Sequence, residues 1–298
     1  VEIRLSEWFQ NMVEETGIKD IVFSGGVANN VKANKKIVEL DCVNSLFVPP
    51  APGDENLSIG AAFKALYNHA GPKKAQELIF SEKNAYWGNK IDTDDLYKFT
   101  NDPFILKNYH HNEDFHLSLT AEIIAGGNVV AICVGEMEFG SRALGHRSLI
   151  ADPSNPASAK KINDIIKKRD FWMPFAPSIL DECFDDYVIN LKEMDSLFMT
   201  SSFDTTEEGR AHLKAAIHPY DHTVHPHRVL EANCPVYYKL IKEFKKKTGI
   251  GALLNTSLNL HGKPIVMNPS DLLKEIIKEK SIFLKYILIE NNMYIRKE

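Results

Sequence analysis

The chain is poor in cysteine, has no excess of basic charge and lacks a long apolar run. Its four cysteines are far apart in the sequence and form no CxxC pair, which argues against a zinc ribbon and a dense disulfide framework. Lys and Arg total 35 against 40 Asp and Glu, a net charge of -5, whereas a general nucleic-acid-binding surface requires a basic excess. Any site for phosphate groups is therefore expected to be local.

Two further absences concern the location and the start of the chain. The first residues lack the basic start and apolar run of a signal peptide, and no apolar stretch is long enough to cross a bilayer. We therefore expect a cytoplasmic protein with no membrane or nucleic-acid partner. The chain also begins at Val1 rather than Met, so we expect its natural start to lie upstream.

Composition and the order of apolar segments predict an α/β protein. The 298 residues, 44% hydrophobic and 25% charged, are typical of a soluble globular protein and fit two domains. Short apolar runs alternate with segments of helical spacing, as in α/β folds. Strands are predicted at 21–24, 45–48, 129–134, 251–254, 266 and 287–289, and helices at 27–40, 57–69, 117–125, 157–168 and 271–279. Ser270 or Asp271 is expected to cap the last helix, and the polar stretch 71–95 is expected to connect two units.

The most informative stretch is residues 135–148, GEMEFGSRALGHRS. It places three glycines and two arginines between an apolar run and a segment of helical character. A turn that gathers backbone N–H groups and guanidinium groups there suits a phosphorylated ligand. Arg142 and Arg147 stand among glycines and apolar residues, where an unpaired guanidinium is costly. Both are therefore expected to have anionic partners.

Two loops near the amino end each allow a structural and a functional interpretation. In residues 24–30, SGGVANN, the glycines let the backbone approach a phosphate at the start of a helix, but a glycine pair after a strand is more often a tight turn. In residues 52–56, PGDEN, Asp54 either caps the next helix or faces a metal or a ribose hydroxyl. Taken alone, the turn and the cap are favoured.

Two polar segments in the second half of the chain also have both a structural and a functional interpretation. Residues 253–264, LLNTSLNLHGKP, put neutral polar side chains directly after an apolar strand. They are either turn formers or donors to phosphate and sugar oxygens at the carboxyl edge of a sheet. His222, His225 and His227 have no neighbouring Cys or HExxH pattern, so a transition-metal site is not expected there.

Five segments taken together resemble the O-carbamoyltransferases of nodulation-factor and antibiotic biosynthesis. They are residues 23–30, 50–54, 135–148, 168–177 and 254–259. In that family a domain related to the actin and sugar-kinase ATPases precedes a YrdC-like domain. The resemblance implies that residues 1–82 are the last part of the first domain. Residues 83–298 would then be a YrdC-like α/β domain with a twisted mixed sheet.

The resemblance also implies a chemistry. The YrdC-like domain would use ATP and Mg²⁺ to activate carbamoyl phosphate to carbamoyl adenylate, and the first domain would pass the carbamoyl group to a hydroxyl of a small-molecule acceptor, sugar or antibiotic-like. Relatives of the YrdC type carry a K-x-R signature and then S-x-N, which match Lys167, Arg169, Ser257 and Asn259. The cations would neutralise the anionic ligands while the neutral donors orient them.

Further site residues follow from the same resemblance. Arg142 is expected to clamp anionic groups together with Lys167 and Arg169. The residues expected to contact nucleotide or phosphate are Gly25, Gly26, Asn29, Asn30, Arg147, Asn255, Thr256 and Arg228. Asp54 resembles a ligand of Fe²⁺ or a similar divalent metal, but the HxxxH motif that completes the family's metal site does not occur before it. We therefore expect a fragment of a longer enzyme, with an absent or impaired transfer step.

The chain departs from the family pattern at one position, and two other functions are also compatible with its sequence. His225 stands where the family commonly has Arg, so phosphate binding there would need protonated His225 or Arg228 instead. A threonylcarbamoyl-adenylate synthase of tRNA modification shares the YrdC-like signature and is the enzymatic alternative. A non-catalytic ATP-binding module is the other.

Overall fold

A computed structural model describes residues 1–78, 84–112, 117–168, 170, 173–280 and 284–298. Its strands are β1 (Asp20–Val22), β2 (Ser45–Phe47), β3 (Tyr109–Asn112), β4 (Val130–Cys133), β5 (Arg147–Ala151), β6 (Ala176–Leu180), β7 (Val188–Ile189), β8 (Asp204–Thr205), β9 (His227–Val229), β10 (Ala252–Ser257), β11 (Tyr286–Ile289) and β12 (Asn292–Arg296). Its helices are α1 (Glu2–Thr16), α2 (Val31–Val38), α3 (Leu57–Leu78), α4 (Thr93–Thr100), α5 (Pro103–Asn108), α6 (Leu117–Ala125), α7 (Pro156–Ile162), α8 (Phe184–Tyr187), α9 (Glu207–His212), α10 (Pro235–Thr248), α11 (Pro269–Leu272) and α12 (Lys278–Lys280). Short 3₁₀ segments cover Gly26–Asn29, Asp54–Asn56 and Asp181–Cys183, and π-helical turns cover Asn163–Lys167 and Leu273–Ile277.

The main sheet of the described residues has eight strands in the order β3-β12-β11-β4-β5-β10-β6-β9. The β11–β4 and β6–β9 pairs are parallel, and the other neighbouring pairs are antiparallel. The predicted α/β class with a large mixed sheet is thereby confirmed.

Helix α10 shows how the sequence places a helix on this sheet. Tyr237, Leu240, Ile241 and Phe244 are buried, and their spacing puts them on one face of a helix. Burial of each such side chain contributes about 1.5–3 kcal/mol. The helix ends at Gly249, whose φ of 80° lets its N–H bond back to a carbonyl of the last turn. With α6 it covers one face of the sheet.

The other face of the sheet carries a second apolar cluster. Leu149, Leu254 and Ile287 contribute to it from β5, β10 and β11, and Ile162 and Ile166 contribute from α7 and the π turn that follows. Because the π turn ends at Lys167, packing of these two isoleucines brings the lysine to the carboxyl end of β10.

Residues near the amino end pack against a distant part of the chain. Asn34 Nδ2 donates to Thr200 O at 2.6 Å, and Ser202 N donates to Val31 O at 3.1 Å. Lys35 forms an ion pair with Asp204 at 3.0 Å. One apolar cluster includes side chains of both parts, among them Phe9, Val13, Ile37, Leu46, Phe184, Phe198, Met199 and Phe203. The predicted division at 82/83 falls in residues 79–83, outside the described ranges.

The structure differs from several sequence predictions. The glycine-rich stretch leads into strand β5, not into a helix, because the run Ser148-Leu-Ile-Ala151 is apolar and pairs on both sides with β4 and β10. Val266 lies outside the strands. The last predicted helix begins at Pro269, and its cap is Asn268, which accepts from Asp271 N at 2.9 Å. Helix α3 runs into the predicted connection, through a kink at Gly71. In the described ranges no helix is both long and apolar enough to span a membrane.

Candidate functional site

Three residues of the predicted signature meet at the carboxyl end of β10. Lys167 ends the π turn after α7, and that helix is started by Asn155, whose Oδ1 accepts from Ala157 N at 3.0 Å. Ser257 is the last residue of β10, and Asn259 lies two residues further along. The sheet and the helix thus approach each other where the lysine, the serine and the asparagine stand.

Hydrogen bonds fix the ammonium group of Lys167. The residue is only 2% exposed, and its Nζ donates to Ser257 Oγ at 3.0 Å, Asn259 Oδ1 at 2.5 Å and Asn259 O at 3.1 Å. Ser257 Oγ donates to Asn259 Oδ1 at 2.7 Å, and Asn259 Nδ2 donates to Lys263 O at 2.5 Å. These three oxygens match the three donors of an ammonium group. Arg169, the fourth residue of the signature, lies outside the described residues.

The three glycine-containing segments found in the sequence also meet. Gly25 N donates to Pro52 O at 2.6 Å, which joins the first loop to the second. Gly140 lies so close to the residues just before the second loop that a Cβ on it would stand 2.8 Å from Pro50 O. Its φ of 105° also favours glycine. Arg142 reaches the first loop through a long hydrogen bond of 3.5 Å from Nη2 to Asn29 O.

The first loop uses its polar side chains in local structure. Asn30 caps α2, because its Oδ1 accepts from Ala33 N at 3.1 Å. Asn29 Nδ2 donates to Gly26 O at 3.4 Å. Gly25 has a φ of 109°, so the glycine pair makes the turn that the structural interpretation predicts. Their contact with a nucleotide stays a prediction.

Arg147 is fully buried and does not face an anion. Its Nε donates to Met267 O at 2.9 Å, Nη1 to Val134 O at 2.6 Å and to His146 O at 3.2 Å, and Nη2 to Gly135 O at 3.1 Å. The expectation of an anionic partner is therefore wrong for this residue: four carbonyl oxygens satisfy four of the five guanidinium donors. A direct phosphate contact would have to use the fifth donor.

Asn255 and Thr256 occupy different faces of β10. Asn255 is 1% exposed, and its Nδ2 donates to Ala143 O at 2.9 Å and Ser178 Oγ at 3.0 Å. It thus ties the glycine-rich stretch to the sheet. Thr256 is buried and lies on the opposite face, in register with Leu149.

Arg228 lies away from Lys167. It stands opposite Ile179 of β6, which in turn pairs with Ala252 of β10. Ser257 is five residues further along β10, about 17 Å of strand. The Arg228 Nε donates to Asp181 Oδ1 at 2.5 Å, and its guanidinium stacks over the Phe184 ring at 5.0 Å. The structure therefore does not bring Arg228 to the lysine cluster.

Asp54 is exposed at the start of a 3₁₀ segment. The cap position is Gly53, without a side-chain cap bond, so the structural interpretation of Asp54 as a cap is wrong. Within the described residues no group of three or more His, Cys, Asp or Glu side chains could hold a metal ion. A lone exposed carboxylate does not fit the ligand requirement of Fe²⁺, and we derive no step through that metal.

His227 lies in a buried polar layer on the same face of the sheet as Asn255. It is 4% exposed, and its Nδ1 lies 3.3 Å from Ser178 Oγ. Burial, together with the neighbouring His146, lowers the pKa of the His227 imidazole from 6.5 to about 3. The ring is therefore neutral in the folded protein at pH 5, whereas an unfolded histidine is charged.

This difference predicts acid sensitivity. Between pH 6.5 and about 3 the unfolded chain binds one more proton at His227, so the free energy of unfolding falls as pH falls through that window. At pH 5 the loss is about 2 kcal/mol relative to pH 7. Replacing His227 with Gln should remove that part of the pH dependence in urea unfolding at pH 7 and pH 5. The exposed His110 changed to Gln is the control, and an equal slope in both variants contradicts the assignment.

Glu138 is a residue that sequence reasoning missed. It is 4% exposed, and one of its carboxylate oxygens accepts main-chain hydrogen bonds from Leu144, His146 and Arg147. The amides that were expected to face a phosphate are thus taken by a carboxylate of the same stretch. In the sequence, the signal for a buried role was an acidic residue among apolar and glycine neighbours.

Comparisons with known proteins agree on one family. The family model described as "Carbamoyltransferase C-terminus" matches residues 121–297, and "Carbamoyltransferase N-terminus" matches residues 1–63. A protein of Methanocaldococcus jannaschii, MJ1058, is 35% identical over 93% of this chain and 45% of its own length. The nodulation protein NolNO of Sinorhizobium fredii is 34% identical over 87% of this chain and 37% of its own length.

A relative named as an O-carbamoyltransferase and a solved structure are also similar to this chain. The 3'-hydroxymethylcephem-O-carbamoyltransferase of Amycolatopsis lactamdurans is 28% identical over 85% of this chain and 45% of its own length. The chain thus spans less than half of each of these three relatives. Full-length HypF, in its phosphate- and nucleotide-bound form, aligns with a TM-score of 0.41 and 19% identity over 55% of this chain and 23% of its own. That score does not establish a shared fold, so the YrdC-like fold stays a prediction.

Proposed function

The chain belongs to the carbamoyltransferase family, and from this premise we propose that it forms carbamoyl adenylate. In the proposed reaction, carbamoyl phosphate and water give carbamate and phosphate. Carbamate oxygen then attacks the α-phosphorus of ATP, and pyrophosphate leaves. In a protein as long as the relatives, the activated carbamoyl group would then pass to a hydroxyl of a small-molecule acceptor. O-carbamoyl transfer is what the name of the Amycolatopsis relative states for that protein.

The cluster of Lys167, Ser257 and Asn259 carries the proposal. The buried ammonium is held in place by three oxygens, and it binds an anion by exchanging one of these hydrogen bonds for a bond to a phosphate oxygen. In the proposal Lys167 binds the carbamoyl phosphate or triphosphate oxygens, and Ser257 and Asn259 orient them. Arg142 and Arg169 would add further positive charge, and Mg²⁺ would enter bound to ATP. Asn255 holds the neighbouring stretch in place.

An exchange assay tests the function. Carbamoyl phosphate should support exchange of labelled pyrophosphate into ATP by the purified chain, because formation of an adenylate is reversible. The same assay with threonine and bicarbonate should give no exchange above background. Exchange with threonine and bicarbonate but not with carbamoyl phosphate would assign the chain to threonylcarbamoyl adenylate formation. ATP binding without exchange under either condition would favour a non-catalytic ATP-binding module.

A further inference from the structure

The carboxylate of Glu138 organises the segment between β4 and β5. Its Oε1 accepts hydrogen bonds from Leu144 N at 2.8 Å, His146 N at 2.8 Å and Arg147 N at 3.1 Å. Three N–H groups directed at one oxygen form an anion-binding turn. Here the anion is supplied by the protein itself, six to nine residues earlier in the chain.

The segment held in this way carries Arg142. On one side of the arginine, Gly140 contacts the loop of Pro50, and on the other side Ala143 O accepts from Asn255 Nδ2 at 2.9 Å. The path of residues 139–143 is therefore fixed at both ends, with Glu138 at the start and its three amide partners directly after the end. We propose that Glu138 is a positioning residue, which sets the place of Arg142 in the donor site. This inference rests on the proposed function.

A purely structural role does not account for the charge of Glu138. Its second oxygen, Oε2, is buried and has no hydrogen-bond partner among the described residues. A buried carboxylate oxygen without a donor is destabilising. The amide of Gln avoids burial of the charge but places an unpaired NH2 group at the same position. What the charge adds is strength, because hydrogen bonds to an ionised acceptor are roughly twice as strong as neutral ones. The carboxylate therefore adds order to the segment without a matching gain in stability.

The variant Glu138→Gln separates these two effects. Gln keeps the Oε1 acceptor and removes the charge, so the midpoint of urea unfolding should stay unchanged while the three amides exchange faster with deuterium. Amide exchange of Leu144, His146 and Arg147 should accelerate about tenfold. The KM for carbamoyl phosphate in pyrophosphate exchange should rise about fivefold or more, since Arg142 is no longer held, and kcat should change less.

A matched control lies two residues away. Glu136→Gln makes the same chemical change in the same stretch, at a side chain that is 41% exposed and pairs with Lys90 at 3.5 Å. It should leave amide exchange and KM as in the wild type. Glu138→Asp, which keeps the charge but shortens the reach by one methylene, should raise KM as well.

The outcomes distinguish this inference from the proposed function. Wild-type protein that exchanges pyrophosphate, with Glu138→Gln unchanged in KM, overturns the positioning role alone. Unchanged amide exchange in Glu138→Gln overturns it too. Wild-type protein that neither binds carbamoyl phosphate nor exchanges pyrophosphate overturns the proposed function and the positioning role together. Faster amide exchange together with a raised KM supports the proposal.

Discussion

Replacing Lys167 with Met is expected to abolish carbamoyl-phosphate-dependent pyrophosphate exchange, with a loss of at least about a hundredfold. Methionine preserves much of the side-chain volume but lacks the three donors that Ser257 and Asn259 now receive. It also lacks the charge that would neutralise a phosphoryl group in the transition state. The rate of label exchange into ATP at saturating carbamoyl phosphate measures the effect directly.

The control for this variant is Lys161→Met. Lys161 is exposed near the end of α7, six residues before Lys167, and the Lys161→Met variant should keep the wild-type rate. Lys167→Met should remain folded, because Ser257 and Asn259 still bond to each other at 2.7 Å. A folded Lys167→Met with exchange within threefold of the wild type would remove the lysine from the site.

The second large effect is expected at Arg147 and concerns stability. Arg147→Met leaves carbonyl oxygens of Val134, Gly135 and Met267 without the donors they now have. Buried acceptors without donors cost roughly 1–3 kcal/mol each. We expect the free energy of unfolding to fall by about 3–5 kcal/mol, measured by urea denaturation.

Arg142→Met is the matched control for Arg147. Arg142 is partly exposed, and substitutions at such positions usually change the free energy of unfolding by less than about 0.5 kcal/mol. Its effect should appear instead in the KM for carbamoyl phosphate. If Arg147→Met were as stable as the wild type and only its ligand binding weakened, the arginine would be a ligand contact, as the sequence first indicated.

The contrast between Lys167 and Arg147 shows what could be predicted from the sequence. Lys167, Ser257 and Asn259 belong to a spaced signature, and the structure brings the three side chains into contact, while their role in binding stays a prediction. Arg147 stands in an equally conspicuous motif, yet it bonds to carbonyls whose positions depend on β4, β5 and the segment before α11. A guanidinium can be satisfied by main-chain oxygen as well as by an anion, and only the fold decides between them.

Local pattern also misassigned the segment after the glycine-rich stretch. The sequence predicts helical character there, whereas pairing of β5 with both β4 and β10 makes these residues a central strand. Strand formation of this kind depends on partners far away in the sequence. Helix α6, in contrast, ends at the predicted residue 125, because this boundary depends on local spacing. The role of Glu138 could not be predicted from the sequence, because the donors that it binds are main-chain N–H groups, which nearly every residue carries.

The apolar cluster shared by the amino-terminal residues and the stretch around Phe198 and Phe203 has a consequence for how the molecule unfolds. Neither part can come apart without exposing the apolar surface of the other, so heating should produce a single cooperative transition. The two family-model segments, 1–63 and 121–297, would then melt as one unit. Deleting residues 1–56 should leave a remainder with an exposed apolar surface that aggregates, not an independently folded domain.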